Sequence, residues 1–152
     1  MKHIFMLMSL ALMLVAAMAL SGVAQAASPT ARCQQEAETL TGLDLTGYNF
    51  IVGNNKRADD FTSKATAGAD VFCGRGGDDR IITLDAGDIF IGGAGNDTIG
   101  GPTSDSVNDT NNGTFYGGDG VDVVYTNNGT FYSGAGDDFV VYAAWSNGIF
   151  VQ

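Results

Sequence analysis

Residues 91–99 read "IGGAGNDTI", a stretch in which three glycines and an aspartate lie between two isoleucines. Glycine disfavours a helix, and the polar residues do not fit a buried strand. The stretch is typical of a tight loop that ends in an aspartate and leads into a very short strand. The neighbouring sequence shows that this pattern is repeated.

The repeat has two periods. Aspartates first recur nine residues apart, each followed two positions later by an apolar residue: Asp70 and Phe72, Asp79 and Ile81, Asp88 and Phe90, Asp97 and Ile99. Then "NNGTFYGGDGVDVVYT" (111–126) and "NNGTFYSGAGDDFVVY" (127–142) recur with a period of 16 residues. We interpret each 16-residue unit as a nine-residue half and a seven-residue half, and residues 101–110 as an insertion. A fixed period predicts a repeat architecture.

The apolar residues of the repeat also sort by type. If two halves make one coil, alternate strands stack in the same sheet. One sheet then points phenylalanines inward and the other points β-branched aliphatic residues inward. The first set is Phe72, Phe90, Phe115, Phe131 and Phe150, and the second is Ile81, Ile99, Val124 and Val140. This sorting predicts an all-β fold, a parallel β-roll or β-solenoid of short two-sheet coils over residues 65–152. A Gly-rich sandwich is the alternative, and it does not explain the sorting.

The N-terminus has the pattern of an export signal. Lys2 precedes an apolar run that closes on Ala24-Gln25-Ala26. We therefore expect a signal peptide over residues 1–26, a secreted or cell-surface protein, and no membrane span after cleavage near Ala26. A single membrane anchor is the alternative.

The charge of the mature chain is strongly negative and uneven. Cleavage leaves six basic residues against 17 acidic ones and removes the histidine, His3. After Arg80 there is no Lys or Arg, whereas nine aspartates lie between Asp85 and Asp138. Charge of one sign repels itself unless counter-ions bind, and it argues against nucleic acid as a partner.

The cysteines are Cys33 and Cys73. In an exported chain an even number of cysteines predicts a disulfide. A metal site is the alternative, but there is no CxxC spacing and no histidine in the mature chain. The pairing would tie an N-terminal cap, residues 27–64, to the first coil. Within this cap, residues 31–40 suit a short helix and residues 43–54 suit one more coil-like pair of strands.

Four segments carry a resemblance to a known family. "GGAGNDTIG" (92–100) and "GGDGVDVVY" (117–125) match G-G-x-G-x-D-x-U-x in every specified position, where U is apolar. "SGAGDDFVV" (133–141) lacks the first glycine, and "GRGGDDRII" (74–82) has Arg75 at the second. On these motifs the chain resembles the hemolysin-type RTX calcium-binding repeats, a parallel β-roll family. The resemblance implies that the loops hold calcium between stacked coils.

The chemistry of the loops agrees with calcium as the ligand. Ca²⁺ takes about six to eight oxygens, from carboxylates and carbonyls. Loops one strand apart, about 4.8 Å, can share an ion. The sorting places four loops along one edge, with up to three ions between their aspartates: Asp79, Asp97, Asp122 and Asp138. The resemblance implies further ligands from the carbonyls of Gly74, Gly76, Gly92, Ala94, Gly117, Asp119, Ser133 and Ala135. An acidic edge that only solvates the protein is the alternative.

The opposite edge is poorer in ligands. Asp70 and Asp88 have the right spacing, but their loops lack most of the glycines, and the later turns on that edge read "NNG". We expect one weak calcium site there at most.

The expected function is calcium binding by a structural or adhesive protein, not an enzyme, because no residues form a catalytic constellation. A carbohydrate- or ice-binding module is the alternative, with Tyr116 and Tyr132 on an outer face beside Thr114 and Thr130; a secreted hydrolase or a toxin accessory is less favoured. An unprotected last strand predicts end-to-end stacking into a homo-oligomer. Surface polysaccharide is a further candidate partner.

Overall fold

The computed structural model describes residues 26–102, 109–142 and 146–152. Nearly all of the predicted signal peptide and most of the predicted insertion lie outside these residues. One helix and twelve strands are described: α1 (Pro29–Thr41), β1 (Asn49–Val52), β2 (Asp70–Cys73), β3 (Arg80–Ile81), β4 (Ile89–Ala94), β5 (Thr98–Ile99), β6 (Thr110–Asn111), β7 (Thr114–Asp119), β8 (Val123–Val124), β9 (Thr126–Asn127), β10 (Thr130–Ala135), β11 (Phe139–Val140) and β12 (Ile149–Val151). In this part of the chain no helix has the length and apolar character needed to cross a bilayer.

The strands form three parallel sheets. The first, here called the Phe sheet, has the order β1-β2-β4-β7-β10-β12, and the second, the aliphatic sheet, has the order β11-β8-β5-β3. Strands β6 and β9 pair separately. Every pairing is parallel and joins successive coils, so the chain forms a parallel β-solenoid, as the sequence predicted.

The core follows the predicted sorting of side chains. Phe72, Phe90, Phe115, Phe131 and Phe150 are register partners in the Phe sheet. From Phe90 onward their rings stack face to face, with centroids 5.0, 4.8 and 5.0 Å apart. Ile81, Ile99, Val124 and Val140 align in the aliphatic sheet. Each aromatic contact contributes about 0.5–1.5 kcal/mol beyond the burial of its area.

The solenoid begins earlier in the chain than the nine-residue repeat. Strand β1 pairs with β2, and Asp60 bridges to Arg80 in parallel, so residues 49–61 form a first coil. In this coil the residue types are exchanged. Ile51 aligns with Phe72 in the Phe sheet, while the buried Phe61 lies at the aliphatic side and contacts the Phe72 ring edge-on. The exchange fills the same core and explains why the sorting did not reveal the coil.

Helix α1 follows local signals in the sequence. Ser28 caps its N-terminus, Pro29 opens its first turn, and Gly42 ends it in the left-handed conformation. Its buried residues, Cys33 and Ala37, pack against strand residues of the Phe sheet's outer face. The predicted Cys33–Cys73 disulfide joins α1 to β2. Within the predicted cap segment, residues 27–64, the helix covers a sheet face and residues 49–61 form a coil, with β1 inside the stretch 43–54 that was expected to form a coil-like pair of strands.

Candidate metal centre

Four predicted ligands form one continuous ladder, here called the aspartate column: Asp79, Asp97, Asp122 and Asp138. In each, Oδ1 accepts the main-chain N–H of the aspartate one coil earlier. The N–H of Asp79 bonds to Asp97, that of Asp97 to Asp122, and that of Asp122 to Asp138, at 2.8, 2.8 and 2.9 Å. All four side chains are buried. The structure thus brings the predicted carboxylates together along one edge of the solenoid.

The second oxygen of three of these carboxylates has no hydrogen-bond partner in the part of the chain that the structure describes. Oδ2 of Asp79, Asp97 and Asp122 is buried and accepts no hydrogen bond from any described residue. A buried carboxylate oxygen left in this state costs folding free energy unless something neutralises it.

Carbonyl oxygens face the same three atoms. A β-carbon on Gly92 would lie 2.0 Å from Asp97 Oδ2 and 2.6 Å from the carbonyl oxygen of Gly117, in the next coil. The same arrangement holds at Gly74 with Asp79 and Gly92, and at Gly117 with Asp122 and Ser133. At each glycine two acceptors from neighbouring coils therefore approach the position that a β-carbon would take. This is the physical reason for the first glycine of the motif.

Burial and mutual repulsion raise the pKa of these carboxyl groups. Loss of solvation is the main cause, and it raises the pKa of Asp97 to about 7. The same cause raises the pKa of Asp79 and of Asp122 to about 6. Neighbouring carboxylates raise these values further, while the hydrogen bonds to Oδ1 lower them. Without a counter-charge, the column resists full ionisation at neutral pH.

The eight predicted carbonyl ligands divide into three groups. Those of Gly92, Gly117 and Ser133 border the spaces beside the unpartnered Oδ2 atoms. Those of Ala94, Asp119 and Ala135 accept main-chain N–H groups of glycines one coil earlier. The Gly74 carbonyl borders the space above Gly53 in the first coil, and Gly76 lies against Asn55 there. A carbonyl oxygen has two lone pairs, so a carbonyl that accepts one hydrogen bond still offers an acceptor.

The donor set fits a hard cation. It consists of oxygens, one carboxylate with carbonyls from the next coil, which is the chemistry of calcium sites. In the described part of the chain no three His, Cys, Asp or Glu side chains cluster as a ready-made metal site. Any ion in the column therefore depends on main-chain carbonyls, and the loops must be folded to supply them.

The column begins one aspartate earlier than predicted. The N–H of Asp59 donates to Asp79 Oδ1 at 2.7 Å, so Asp59 occupies the first position. Both oxygens of the Asp59 carboxylate have partners in the protein. Oδ2 accepts the N–H of Asn54, and Oδ1 lies 3.9 Å from Lys64 Nζ. The signal for this position was present in the sequence, since Phe61 follows Asp59 by two residues as Ile81 follows Asp79.

Arg75, the mismatch to the motif, adopts the conformation of the glycine it replaces. Its φ is 77°, and Gly93, Gly118 and Gly134 at the equivalent positions also have positive φ. A β-carbon on Gly93 would lie 2.8 Å from the Arg75 carbonyl oxygen, and one on Gly118 would lie 2.1 Å from the Gly93 carbonyl oxygen. The close approach of successive coils therefore leaves no room for a side chain at Gly93 or Gly118. Arg75 itself lies near the start of the stack.

Asparagines form a second ladder on the opposite edge, here called the asparagine ladder: Asn111 and Asn127. Both are buried. The Asn111 Nδ2 donates to Asn127 Oδ1 at 2.8 Å, and the Asn127 Nδ2 donates to the Ile149 carbonyl at 2.8 Å. The sequence analysis treated the "NNG" segments only as turns without a carboxylate. Their identical position in the 16-residue repeat is the signal that places these amides in register.

The weaker predicted ligands on that edge have protein partners. Asp70 accepts the N–H and the hydroxyl of Thr66 at 2.6 and 2.7 Å. Oδ1 of Asp88 accepts the N–H of Asp70 at 2.9 Å. Neither carboxylate has a buried oxygen without a hydrogen bond among the described residues. Asp70 and Asp88 therefore lack the unpartnered buried carboxylate oxygen that singles out the aspartate column.

Tyr116 and Tyr132 stack on each other as predicted, so the outer surface is formed by the edges of their rings and not by the faces. The rings of Tyr116 and Tyr132 are 4.8 Å apart with planes 7° from parallel. Each ring therefore covers a face of the other. A sugar that stacks on an aromatic face would find less surface here than on two rings lying flat on the sheet.

Comparisons with known proteins add no relative. No protein-family model, no curated protein sequence and no solved structure matches the chain. The likeness to RTX repeats therefore rests on the sequence motif, and the site must be interpreted from its own geometry.

Proposed function

We propose that this protein binds calcium ions along the aspartate column and that binding is coupled to folding. The observation that carries the proposal is the buried Oδ2 atoms of Asp79, Asp97 and Asp122, each facing a carbonyl oxygen of the next coil. A buried carboxylate oxygen next to a carbonyl oxygen is stable only when a cation or a proton lies between the two acceptors. Calcium fits because it accepts many oxygens in flexible geometry.

Three spaces of this kind are present in the described chain, so the proposal predicts three ions. Each ion would neutralise one column carboxylate and draw two coils together through their carbonyls. Affinity is expected on the order of 10⁻⁴ M, typical of extracellular calcium modules, and tighter if the sites cooperate. Magnesium is a poorer fit because it demands near-ideal octahedral geometry and retains its water.

A proton is the second candidate, favoured by the raised pKa values. A protonated Oδ2 would donate to the facing carbonyl and stabilise the column without metal. With the pKa of Asp79 and of Asp122 at about 6, these two groups would be mostly ionised at pH 7.4. In acid, a proton would therefore neutralise the column carboxylates, and at neutral pH calcium would neutralise them.

The experiment is circular dichroism at pH 7.4 in excess calcium and then in excess chelator, with calcium restored at the end. The proposal predicts loss of most β-signal in chelator and its recovery with calcium, whereas the same concentration of magnesium restores less. Asp97→Asn is the matched variant, since it keeps an acceptor for the Asp79 N–H and removes the charge. Its midpoint for calcium should rise at least about tenfold. Identical spectra in calcium and chelator would favour the proton.

The biological role proposed for the bound protein is structural or adhesive, at the cell surface or in its matrix after secretion. Association through β12 is supported by its place at an edge of the Phe sheet and by its exposed side chains, since Ile149 is 61 % exposed and Phe150 and Val151 are 39 % exposed. Calcium-dependent oligomers in light scattering are the expected result, and a strict monomer in calcium would contradict it. Polysaccharide binding stays a prediction, to be tested with Tyr132→Ala. We do not propose an enzymatic activity.

A further inference from the structure

We infer that the N-terminal part of the solenoid holds its fold without calcium and serves as the platform on which the calcium-dependent coils order. The N-terminal unit is residues 29–73, which comprise α1, the first coil and β2; the C-terminal coils are residues 92–142 and 146–152. The inference rests on the proposed function, because it concerns where in the chain calcium is required.

The first evidence is how the acids of the N-terminal unit are paired. Asp59 has Asn54 and Lys64 as partners, and Asp70 has Thr66. The Lys64 ammonium also lies 4.7 Å from the centroid of the buried Phe61 ring. Each of these carboxylates is therefore satisfied by the protein, and the unit needs no added cation.

The second evidence is the covalent and apolar support of the same unit. The disulfide joins Cys33 and Cys73 across 40 residues, which lowers the entropy of the unfolded chain. Helix α1 is capped at both ends and buries Cys33 and Ala37 against the Phe sheet. Short chains commonly rely on such a crosslink to hold a small core.

The C-terminal coils have the opposite properties. They contain no Lys or Arg, and two of the three unpartnered carboxylates, Asp97 and Asp122, lie there. Among the described residues, the N-terminal unit exposes two large apolar side chains, Leu40 and Leu43, whereas the C-terminal coils expose seven: Val121, Tyr132, Phe139, Val141, Ile149, Phe150 and Val151. Their strands in the aliphatic sheet are short, since β5, β8 and β11 have two residues each, whereas β7 and β10 in the Phe sheet have six. Such short strands are not stable alone, so these coils depend on the stack beneath them and on whatever neutralises their acids.

The order of events follows from these contrasts. The N–H of Asp59 already holds Asp79 Oδ1, and each later aspartate is held by the one before it. An ion between the second and third coils would fix the loop that supplies the next site. Calcium would therefore add coils from the N-terminal unit outward, each site being completed by the coil that it helps to order.

The experiment is hydrogen–deuterium exchange by mass spectrometry on the full oxidised chain, in 10 mM calcium or in excess chelator, with calcium binding measured in parallel by calorimetry. Amides in residues 29–73 should keep their protection in chelator. Amides in residues 92–142 should exchange at least about 100-fold faster in chelator, the factor expected when calcium exceeds its Kd about 100-fold at one site. Asp60→Asn and Asp97→Asn form a matched pair, because Asp60 is an exposed acid of the first coil that lies outside the aspartate column. The first should leave the calcium midpoint for protection of residues 92–142 within about threefold, and the second should raise it at least about tenfold.

Two outcomes overturn the inference, and calorimetry separates them. If calcium binds but residues 29–73 lose protection together with the rest in chelator, the chain is one cooperative unit; the inference fails and the proposed function stands. If no calcium binds and residues 92–142 stay protected in chelator, the inference and the proposed function both fail.

Discussion

The two edges of this solenoid link successive coils through different side chains. On one edge the asparagine ladder passes a hydrogen bond from coil to coil, because an amide both donates and accepts. On the other edge the aspartate column accepts one N–H through Oδ1 and leaves Oδ2 against a carbonyl. The first edge is closed by the protein itself. The second edge is complete only with a cation or a proton.

The difference amounts to one amide nitrogen in place of one oxygen. It shows that a repeat can connect its coils through ladders on both edges and make only one of them dependent on its surroundings. The asparagine ladder is not perfect, since Oδ1 of Asn111 is buried without a hydrogen bond among the described residues. That atom lies at the start of the ladder, where the preceding coil presents Leu84 in register with Asn111.

The largest expected effect is that of Asn127→Asp, which places a carboxylate in the asparagine ladder, as in the aspartate column. The variant keeps the acceptor for Asn111 Nδ2 but loses the donor to the Ile149 carbonyl and buries a charge. We expect the free energy of unfolding in calcium at pH 7 to fall by about 2–4 kcal/mol. Chemical denaturation measures it, and a loss below about 0.5 kcal/mol would contradict the stated difference between the edges.

Gly92→Ala tests the space in the open edge. Its β-carbon would lie 2.0 Å from Asp97 Oδ2, so the carboxylate must move from the ion. We expect a loss of about 1–3 kcal/mol in calcium and one calcium ion fewer per chain. The matched control is Gly68→Ala, for which the nearest atom, Asn49 Nδ2, lies 3.4 Å away. Equal effects of the two substitutions on calcium stoichiometry would refute the assignment of this space.

The smallest effect expected is that of pH on the calcium-free protein. The pKa of Asp97 is raised to about 7 in the folded state, from an ordinary value of 3.8. A carboxyl group with a raised pKa stabilises the fold when protonated, and this contribution is lost as pH rises through the folded-state pKa. The calcium-free protein should therefore melt at a higher temperature at pH 5 than at pH 7.5. Melting temperatures of dialysed protein that fall on acidification would show that the column carboxyls are not buried as described.

Much of this architecture was predictable from the sequence because the repeat is expressed in large side chains. Phenylalanines at one parity and Ile or Val at the other determine which strands share a sheet, and therefore which loops share an edge. The placement of Asp79, Asp97, Asp122 and Asp138 along one edge follows from that alone. The disulfide was predictable because two cysteines allow a single pairing.

The parts not predicted are those in which the repeat changes its residues. The first coil was expected only as a coil-like pair of strands over residues 43–54; it exchanges its core types between Ile51 and Phe61, so the parity of the repeat did not reveal its place in the stack. The asparagine ladder was missed because amides in a turn signal only local structure, and their pairing depends on a partner 16 residues away. The packing of α1 on a sheet face depends on tertiary contacts, which the helix signals in its own sequence do not specify.

Isothermal titration of calcium into the oxidised protein at pH 7.4 tests the central claim most directly. The aspartate column presents three unpartnered Oδ2 atoms, each facing a carbonyl, so the account predicts three calcium ions per chain. It also predicts two or fewer for Gly92→Ala and three for Gly68→Ala. No detectable binding at millimolar calcium, or an unchanged stoichiometry in Gly92→Ala, would contradict it.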